Sequence, residues 1–201
     1  MISFQGKRVI VFDLDGTIVK LAADWHSLKD ALVERYSEYY QEECQFRSIS
    51  ACLSNIAKRN DEEELQKNFE IIRQYELENI KENVPIEESV FFINNLILFG
   101  VQEDTKLAVL SLNTRRTIIE SLKLANIYEK IDFIVGREDV RKWKPEPEGL
   151  LKIKDYFGVK KEEMVFIGDL DKDLLTGQNA GINSFLVDEL IELVKNLKRK
   201  Y

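Results

Sequence analysis

Short apolar runs alternate along this chain with longer segments in which apolar residues recur every three or four positions. The first run, Val9–Phe12, is rich in β-branched residues and predicts a strand buried on both faces, as in a parallel sheet. Similar runs predict strands at 106–111, 133–135, 164–167 and 184–187. Helical spacing predicts helices at 87–99, 114–125, 147–157 and 172–180, and a terminal helix capped by Asp188.

Residues 24–83 differ from the rest because they contain no β-rich run, no glycine and no proline. Their spacing predicts three helices, the first capped by Asp24, the second at 49–58 and the third capped by Asp61. Asp15 and Ser111, which end successive predicted strands of the sheet, are 96 positions apart, whereas a strand–helix–strand unit needs roughly 30 residues. The helical segment is therefore predicted to be an insert.

The predicted fold class is α/β, a doubly wound parallel (Rossmann-like) sheet with a small all-helical cap domain. The core domain comprises residues 1–20 and 84–201, and the cap comprises residues 21–83. This arrangement places the ends of the strands beside the cap, which is where open α/β sheets bind ligands.

Two carboxylates follow the first strand directly, in Asp13-Leu14-Asp15-Gly16-Thr17. Gly16 allows a sharp turn at the end of the strand. Two acids held this close are unfavourable unless they share a cation or a proton. The segment therefore predicts a functional site at this edge of the sheet. The alternative interpretation is an acidic surface turn, which uses the same residue types.

Composition limits the classes of partner. The chain has 201 residues, 44% of them apolar and 32% charged, which fits a soluble globular protein. The net charge of −7 argues against a broad nucleic-acid interface, and no apolar run is long enough to span a membrane. Cys44 and Cys52 suit neither a metal pair nor a disulfide framework, which favours a cytoplasmic location. The sequence does not distinguish a monomer from a dimer.

Further polar residues follow the later predicted strands. These are Ser111 and Asn113, Lys144 before Pro145, and Asp169 with Asp173 after Gly168. Each is weak evidence alone, but their order is specific. The chain resembles the haloacid dehalogenase superfamily of phosphatases and phosphotransferases, in which an Asp-x-Asp-Gly-Thr segment, a Ser or Thr, a Lys and a Gly-Asp segment follow one another in this way.

This resemblance implies a magnesium-dependent phosphatase that acts on a small phosphorylated metabolite. Asp13 would be the nucleophile that forms an aspartyl phosphate, and Asp15 the general acid and base. Mg²⁺ would be held by Asp13, Asp169, Asp173 and the backbone carbonyl of Asp15. Lys144 and Ser111 would contact the phosphoryl oxygens. Asn113 would either contact phosphate or cap the following helix, and Asp171 would cap a helix.

Some alternatives stay open at the level of sequence. A phosphomutase or a phosphonate hydrolase could use the same core, and a receiver-like or phosphate-binding module is a remote third possibility. Lys20 stands where many capped relatives have an acidic residue, which argues against a phosphoglycolate phosphatase or a sugar-phosphate mutase. Substrate selection would depend on cap side chains. Four arginines are candidates for that role: Arg35, Arg47, Arg59 and Arg73.

Overall fold

The computed structural model describes residues 2–43 and 46–199. The strands are β1 Val9–Phe12, β2 Val19–Lys20, β3 Val84–Pro85, β4 Lys106–Leu110, β5 Phe133–Val135, β6 Met164–Gly168 and β7 Asn183–Leu186. The α-helices are α1 Trp25–Tyr40, α2 Ile49–Lys58, α3 Glu62–Glu78, α4 Glu87–Asn94, α5 Arg115–Leu124, α6 Glu148–Phe157, α7 Asp171–Ala180 and α8 Val187–Lys198.

Five strands form one parallel sheet in the order β5-β4-β1-β6-β7, with β1 at its centre. Successive residues of β1 point to opposite faces, so Val9 and Val11 join one apolar core while Ile10 and Phe12 join the other. Helices α6 and α7 cover the first face, and α4, α5 and α8 cover the second. The predicted doubly wound parallel fold is confirmed.

Helices α1, α2 and α3 pack against one another in the segment predicted to be the cap. The Asp24 carboxylate accepts a hydrogen bond from the Ser27 N–H at 3.0 Å, and the Asp61 carboxylate accepts one from the Glu64 N–H at 3.1 Å. Both predicted helix caps are therefore confirmed. Cys52 is buried in this layer, and Cys44 lies outside the described residues.

A short antiparallel ribbon joins the two chain crossings between the sheet and the helical segment. Val19 pairs with Pro85 and Lys20 pairs with Val84. The division into a core and a cap at residues 20 and 84 stays a prediction, and the ribbon lies where that division would fall. None of the helices in the described parts of the chain has the length and apolar character needed to cross a bilayer.

Two predicted helix boundaries are wrong. The helix predicted at 87–99 ends at Asn94, and a separate 3-10 turn follows at Leu96–Phe99. The Asn94 and Asn95 amides donate to the Val90 and Phe91 carbonyls, so side-chain hydrogen bonds accompany the break. Asp188 does not cap α8, because the helix begins at Val187 and Asp188 lies in its first turn.

Candidate active site

A buried lysine lies between two carboxylates at the carboxyl edge of the sheet. Lys144 Nζ is 2.7 Å from Asp13 Oδ2 and 2.6 Å from Asp173 Oδ1. Asp13 is placed there by β1, and its Oδ1 accepts the Leu14 N–H at 2.7 Å. Burial alone would lower the pKa of Lys144, but the carboxylates of Asp13 and Asp173 outweigh burial and raise it. The lysine is therefore a fixed cation.

Asp169 completes an acidic cluster with Asp13 and Asp173. One carboxylate oxygen from each residue lies within 4.8 Å of the others. Asp169 Oδ1 is buried and makes no hydrogen bond to any described residue. Burial, together with the negative charges of Asp13 and Asp173, raises the pKa of Asp169 to about 6. Oxygen ligands in this number and spacing suit a hard divalent cation.

Glycine makes the close approach of these loops possible. Gly16 adopts a φ of +74°, and a Cβ at this position would overlap the Asp169 carboxylate. At the end of β6, a Cβ on Gly168 would overlap the Asp173 side chain. Leu170 is the N-cap residue of α7, and Asp173 Oδ2 accepts its N–H at 3.1 Å. The predicted capping role of Asp171 is wrong, because Asp171 is the first residue of the helix and its exposed side chain makes no capping hydrogen bond within the described residues.

Asp15 follows Asp13 in the same turn but is held by other contacts. Its Oδ1 accepts the Leu21 N–H at 2.9 Å, and its side chain is outside the three-residue acidic cluster. Burial raises the pKa of Asp15, and the Leu21 hydrogen bond opposes that shift. A raised pKa favours a carboxyl group that can hold and release a proton.

Ser111 and Asn113 lie just beyond β4 and contact each other. Ser111 Oγ donates to Asn113 Oδ1 at 2.8 Å and accepts the Asn113 N–H at 3.3 Å. Asn113 does not cap α5, because Thr114 is the N-cap residue of that helix. Of the two roles left open for Asn113, the helix cap is therefore wrong and the phosphate contact stays a prediction.

The sequence interpretation missed Glu76, a buried residue of α3. Its carboxylate accepts hydrogen bonds from Asn113 Nδ2 at 2.9 Å, from the Thr114 N–H at 2.9 Å and from Thr114 Oγ1 at 2.7 Å. Glu76 therefore joins the helical segment to the loop after β4. Its position in the sequence carried a signal, since it lies four residues after Ile72 and seven after Phe69 on the apolar face of α3.

The sequence interpretation also missed Arg137, which lies near the contact between Glu76 and the loop after β4. It follows β5, is buried, and leaves Nε and Nη1 without a hydrogen-bond partner among the described residues. Burial lowers the pKa of the Arg137 guanidinium, and the charges of Glu76 and Glu138 oppose that shift. Arg137 therefore adds a buried positive charge to the region around Glu76.

The predicted cap arginines have different surroundings. Arg35 pairs with Glu64 at 2.7 Å, and Arg59 pairs with Glu42 at 2.5 Å, so both ion pairs lie within the helical segment. Arg73 Nη1 pairs with Glu70 at 2.7 Å. Because Arg73 lies on α3 one turn before Glu76, it is closer in sequence to the contact with the sheet than the other paired arginines. Arg47 forms no ion pair with another described residue.

The sequence profile of the haloacid dehalogenase-like hydrolase family matches residues 10–187. The chain belongs to this family. Among curated relatives of this hydrolase, the pyrophosphatase PpaX of Halalkalibacterium halodurans is 30% identical over 185 residues, which cover 90% of this chain and 83% of that protein. The predicted family is confirmed, and with it the enzyme class of phosphatase that the relatives' names describe.

Solved structures share the fold of this hydrolase. A haloacid dehalogenase-like hydrolase from Bacteroides fragilis aligns with a TM-score of 0.64 at 21% identity, covering 89% of this chain and 86% of that one. A protein from Haemophilus somnus, described as a predicted phosphoglycolate phosphatase, aligns with a TM-score of 0.58 at 17% identity, covering 94% and 92%. At these identities the likeness establishes the fold alone.

Proposed function

We propose that this hydrolase is a magnesium-dependent phosphatase that releases phosphate from a small phosphorylated metabolite through an aspartyl phosphate on Asp13. The observation that carries the proposal is the cluster of Asp13, Lys144, Asp169 and Asp173 at the carboxyl edge of the sheet. Family membership supports the same chemistry.

Asp13 is the proposed nucleophile. A carboxylate can attack phosphorus and form an acyl phosphate, which divides hydrolysis into two easier steps. Two contacts orient it, the Leu14 N–H on one oxygen and Lys144 on the other. In the first step a bond forms between an Asp13 oxygen and phosphorus while the bond from phosphorus to the leaving oxygen breaks.

Asp15 is the proposed general acid and base. Its carboxyl group gives a proton to the leaving oxygen in the first step. In the second step it accepts a proton from the water that attacks phosphorus, and the bond between Asp13 and phosphorus breaks to release phosphate. The hydrogen bond from the Leu21 N–H fixes one oxygen of Asp15, which leaves the other for proton transfer.

The acidic cluster fits Mg²⁺. Lys144 pairs with Asp13 and Asp173, whereas the buried Asp169 Oδ1 has no hydrogen-bond partner among the described residues. The negative charge of Asp169 beside the other two carboxylates is therefore left for a second cation to offset. Asp13, Asp169 and Asp173 would hold the ion, with the backbone carbonyl of Asp15 as a proposed further ligand. When bound, Mg²⁺ supplies positive charge that offsets repulsion between the carboxylates and the phosphoryl group.

Lys144 and Ser111 are proposed to bind the phosphoryl oxygens. Lys144 carries its charge beside the nucleophile, and Ser111 lies at the end of the neighbouring strand β4. For the substrate, the relatives' name makes pyrophosphate the first compound to assay. Small phosphate monoesters such as phosphoglycolate follow, although Lys20 argued against the latter from the sequence.

Asp13→Asn should remove the proposed nucleophile. With Mg²⁺, the wild-type protein is expected to release phosphate from pyrophosphate or from an aryl phosphate. Replacing the nucleophilic oxygen by an amide should lower the rate by roughly 10³-fold or more. Chelation of Mg²⁺ should abolish phosphate release from the wild-type protein as well. The measurement is colorimetric phosphate release across a panel of phosphorylated metabolites.

Asp171→Asn is the matched control, because Asp171 is an exposed acid beside the cluster and outside it. It should retain the wild-type rate. Full activity of Asp13→Asn, or full activity after chelation, would contradict the proposal. Recovery of a rearranged sugar phosphate rather than free phosphate would favour the phosphomutase alternative.

A further inference from the structure

A continuous chain of hydrogen bonds links the helical segment to the proposed phosphate site. It runs from the Glu76 carboxylate on α3 through the Asn113 side-chain amide to the Ser111 hydroxyl. All three residues are buried, with exposures of 1%, 4% and 3%. Because water has little access, the hydrogen bonds within the chain decide how each polar group is oriented.

Glu76 decides which group donates and which accepts in each of these hydrogen bonds. An ionised carboxylate only accepts hydrogen bonds, so Asn113 must turn its NH₂ group towards Glu76. The Asn113 oxygen then faces Ser111, and the Ser111 hydroxyl must donate to it. The Ser111 proton is therefore committed to Asn113 while Glu76 is in place.

We propose that Glu76 is a positioning residue that acts through Asn113 to withhold the Ser111 proton from phosphate until Glu76 leaves Asn113. The proposal rests on the proposed function for the role of Ser111. It explains why a negative side chain from the helical segment lies against the loop after β4. Binding of phosphate at Ser111 is thereby coupled to the position of α3.

The Glu76→Gln substitution keeps the shape of the side chain but reverses the donors and acceptors in the hydrogen bonds from residue 76 to Ser111. The Thr114 backbone N–H can only donate, so the oxygen of the introduced amide must face Thr114 and its NH₂ group must face Asn113. Asn113 then has to turn its oxygen towards that NH₂ group and its own NH₂ group towards Ser111. Ser111 Oγ accepts from Asn113, and its proton is released for an anion.

The test measures binding of inorganic phosphate with Mg²⁺ present, by titration calorimetry, so no turnover is needed. Glu76→Gln should bind phosphate about tenfold more tightly than the wild-type protein, the size of effect expected for one hydrogen bond to a charged group. If Glu76 only held the helices together, Glu76→Gln would weaken phosphate binding, because loss of the contact would loosen the site. Unchanged or weaker phosphate binding by Glu76→Gln overturns the proposal.

Two further variants distinguish an effect transmitted through the hydrogen bonds from Glu76 to Ser111, called the relay below, from an effect of removing a negative charge. Glu78→Gln removes a charge from the same helix, outside the chain of hydrogen bonds, and should leave phosphate affinity unchanged. In an Asn113→Ala background the relay is absent, so Glu76→Gln should change affinity by less than about twofold. An equal gain in both backgrounds, or an equal gain from Glu78→Gln, is an electrostatic effect and overturns the relay. Lack of turnover by a wild-type protein that binds phosphate would instead contradict the proposed function.

Discussion

Asp169 is the residue whose environment most strongly favours a bound cation. Its pKa is raised to about 6 by burial and by Asp13 and Asp173, and one of its oxygens is buried without a partner in the described residues. Without a cation, the folded protein therefore holds this proton more tightly than the unfolded chain does. The stabilising contribution of the protonated group is present below the ordinary pKa of 3.8 and is lost as the pH rises through about 6.

Because the pKa of Asp169 is raised, the effect of Mg²⁺ on stability should depend on pH. Mg²⁺ should raise the melting temperature more at about pH 7.5, where Asp169 is ionised, than at about pH 5, where it carries a proton. Asp169→Asn should reduce the shift at the higher pH. A roughly tenfold loss of affinity corresponds to about 1.4 kcal/mol less stabilisation. Thermal unfolding with and without Mg²⁺ measures the effect, and equal shifts at both pH values would contradict it.

At the scale of elements, the turn after β1 brings two loops of the site together. The backbone of Gly16 has positive φ, and the space that a side chain would need is filled by Asp169. The other glycines with positive φ in the described residues have no such overlap. Gly100 has a φ of +72°, similar to that of Gly16, but a Cβ there would meet no atom within 4 Å.

Comparing Gly16→Ala with Gly100→Ala separates the two effects. Gly100→Ala should cost about 1–2 kcal/mol of unfolding free energy, the expected strain of a left-handed residue with a side chain. Gly16→Ala should cost more and should also weaken stabilisation by Mg²⁺, because Asp169 has to move. Denaturant unfolding with and without Mg²⁺ measures both. Equal losses for the two variants, with Mg²⁺ stabilisation intact, would contradict this role of Gly16.

The five strands of the parallel sheet were the most predictable elements because a short apolar run marks each of them, whereas the two-residue strands β2 and β3 were not predicted. β1 and β5 have the predicted boundaries, and β4, β6 and β7 differ from them by one residue at one or both ends. The helix at 87–99 was overestimated because its apolar spacing continues through Leu96–Phe99, while the backbone breaks at Asn95. Ile97 and Leu98 are exposed, so apolar residues continue past the end of the helix. Apolar spacing does not record where asparagine side chains compete for backbone carbonyls.

At the scale of the whole molecule, residues that a parallel sheet brings to one edge were predictable in advance. Asp13, Lys144 and Asp173 were assigned to one site from the resemblance to the haloacid dehalogenase superfamily together with their places after strands, and in the fold the lysine is within hydrogen-bond distance of both carboxylates. Glu76 and Arg137 were missed. Their part depends on how the helical segment packs on the sheet, and no local pattern specifies that packing, although a glutamate on the apolar face of α3 was a signal.

The proposed function requires two steps at one carboxylate, and detection of the covalent intermediate tests that proposal most directly. An Asp15→Asn variant with an aryl phosphate and Mg²⁺ should accumulate phosphorylated protein. A good leaving group needs little acid catalysis in the first step, whereas the attack of water in the second step still lacks its base. Acid quenching, proteolysis and mass spectrometry should locate the phosphoryl group on Asp13. Phosphorylation at another residue, or turnover of substrate with no phosphorylated protein at any time, would contradict the account.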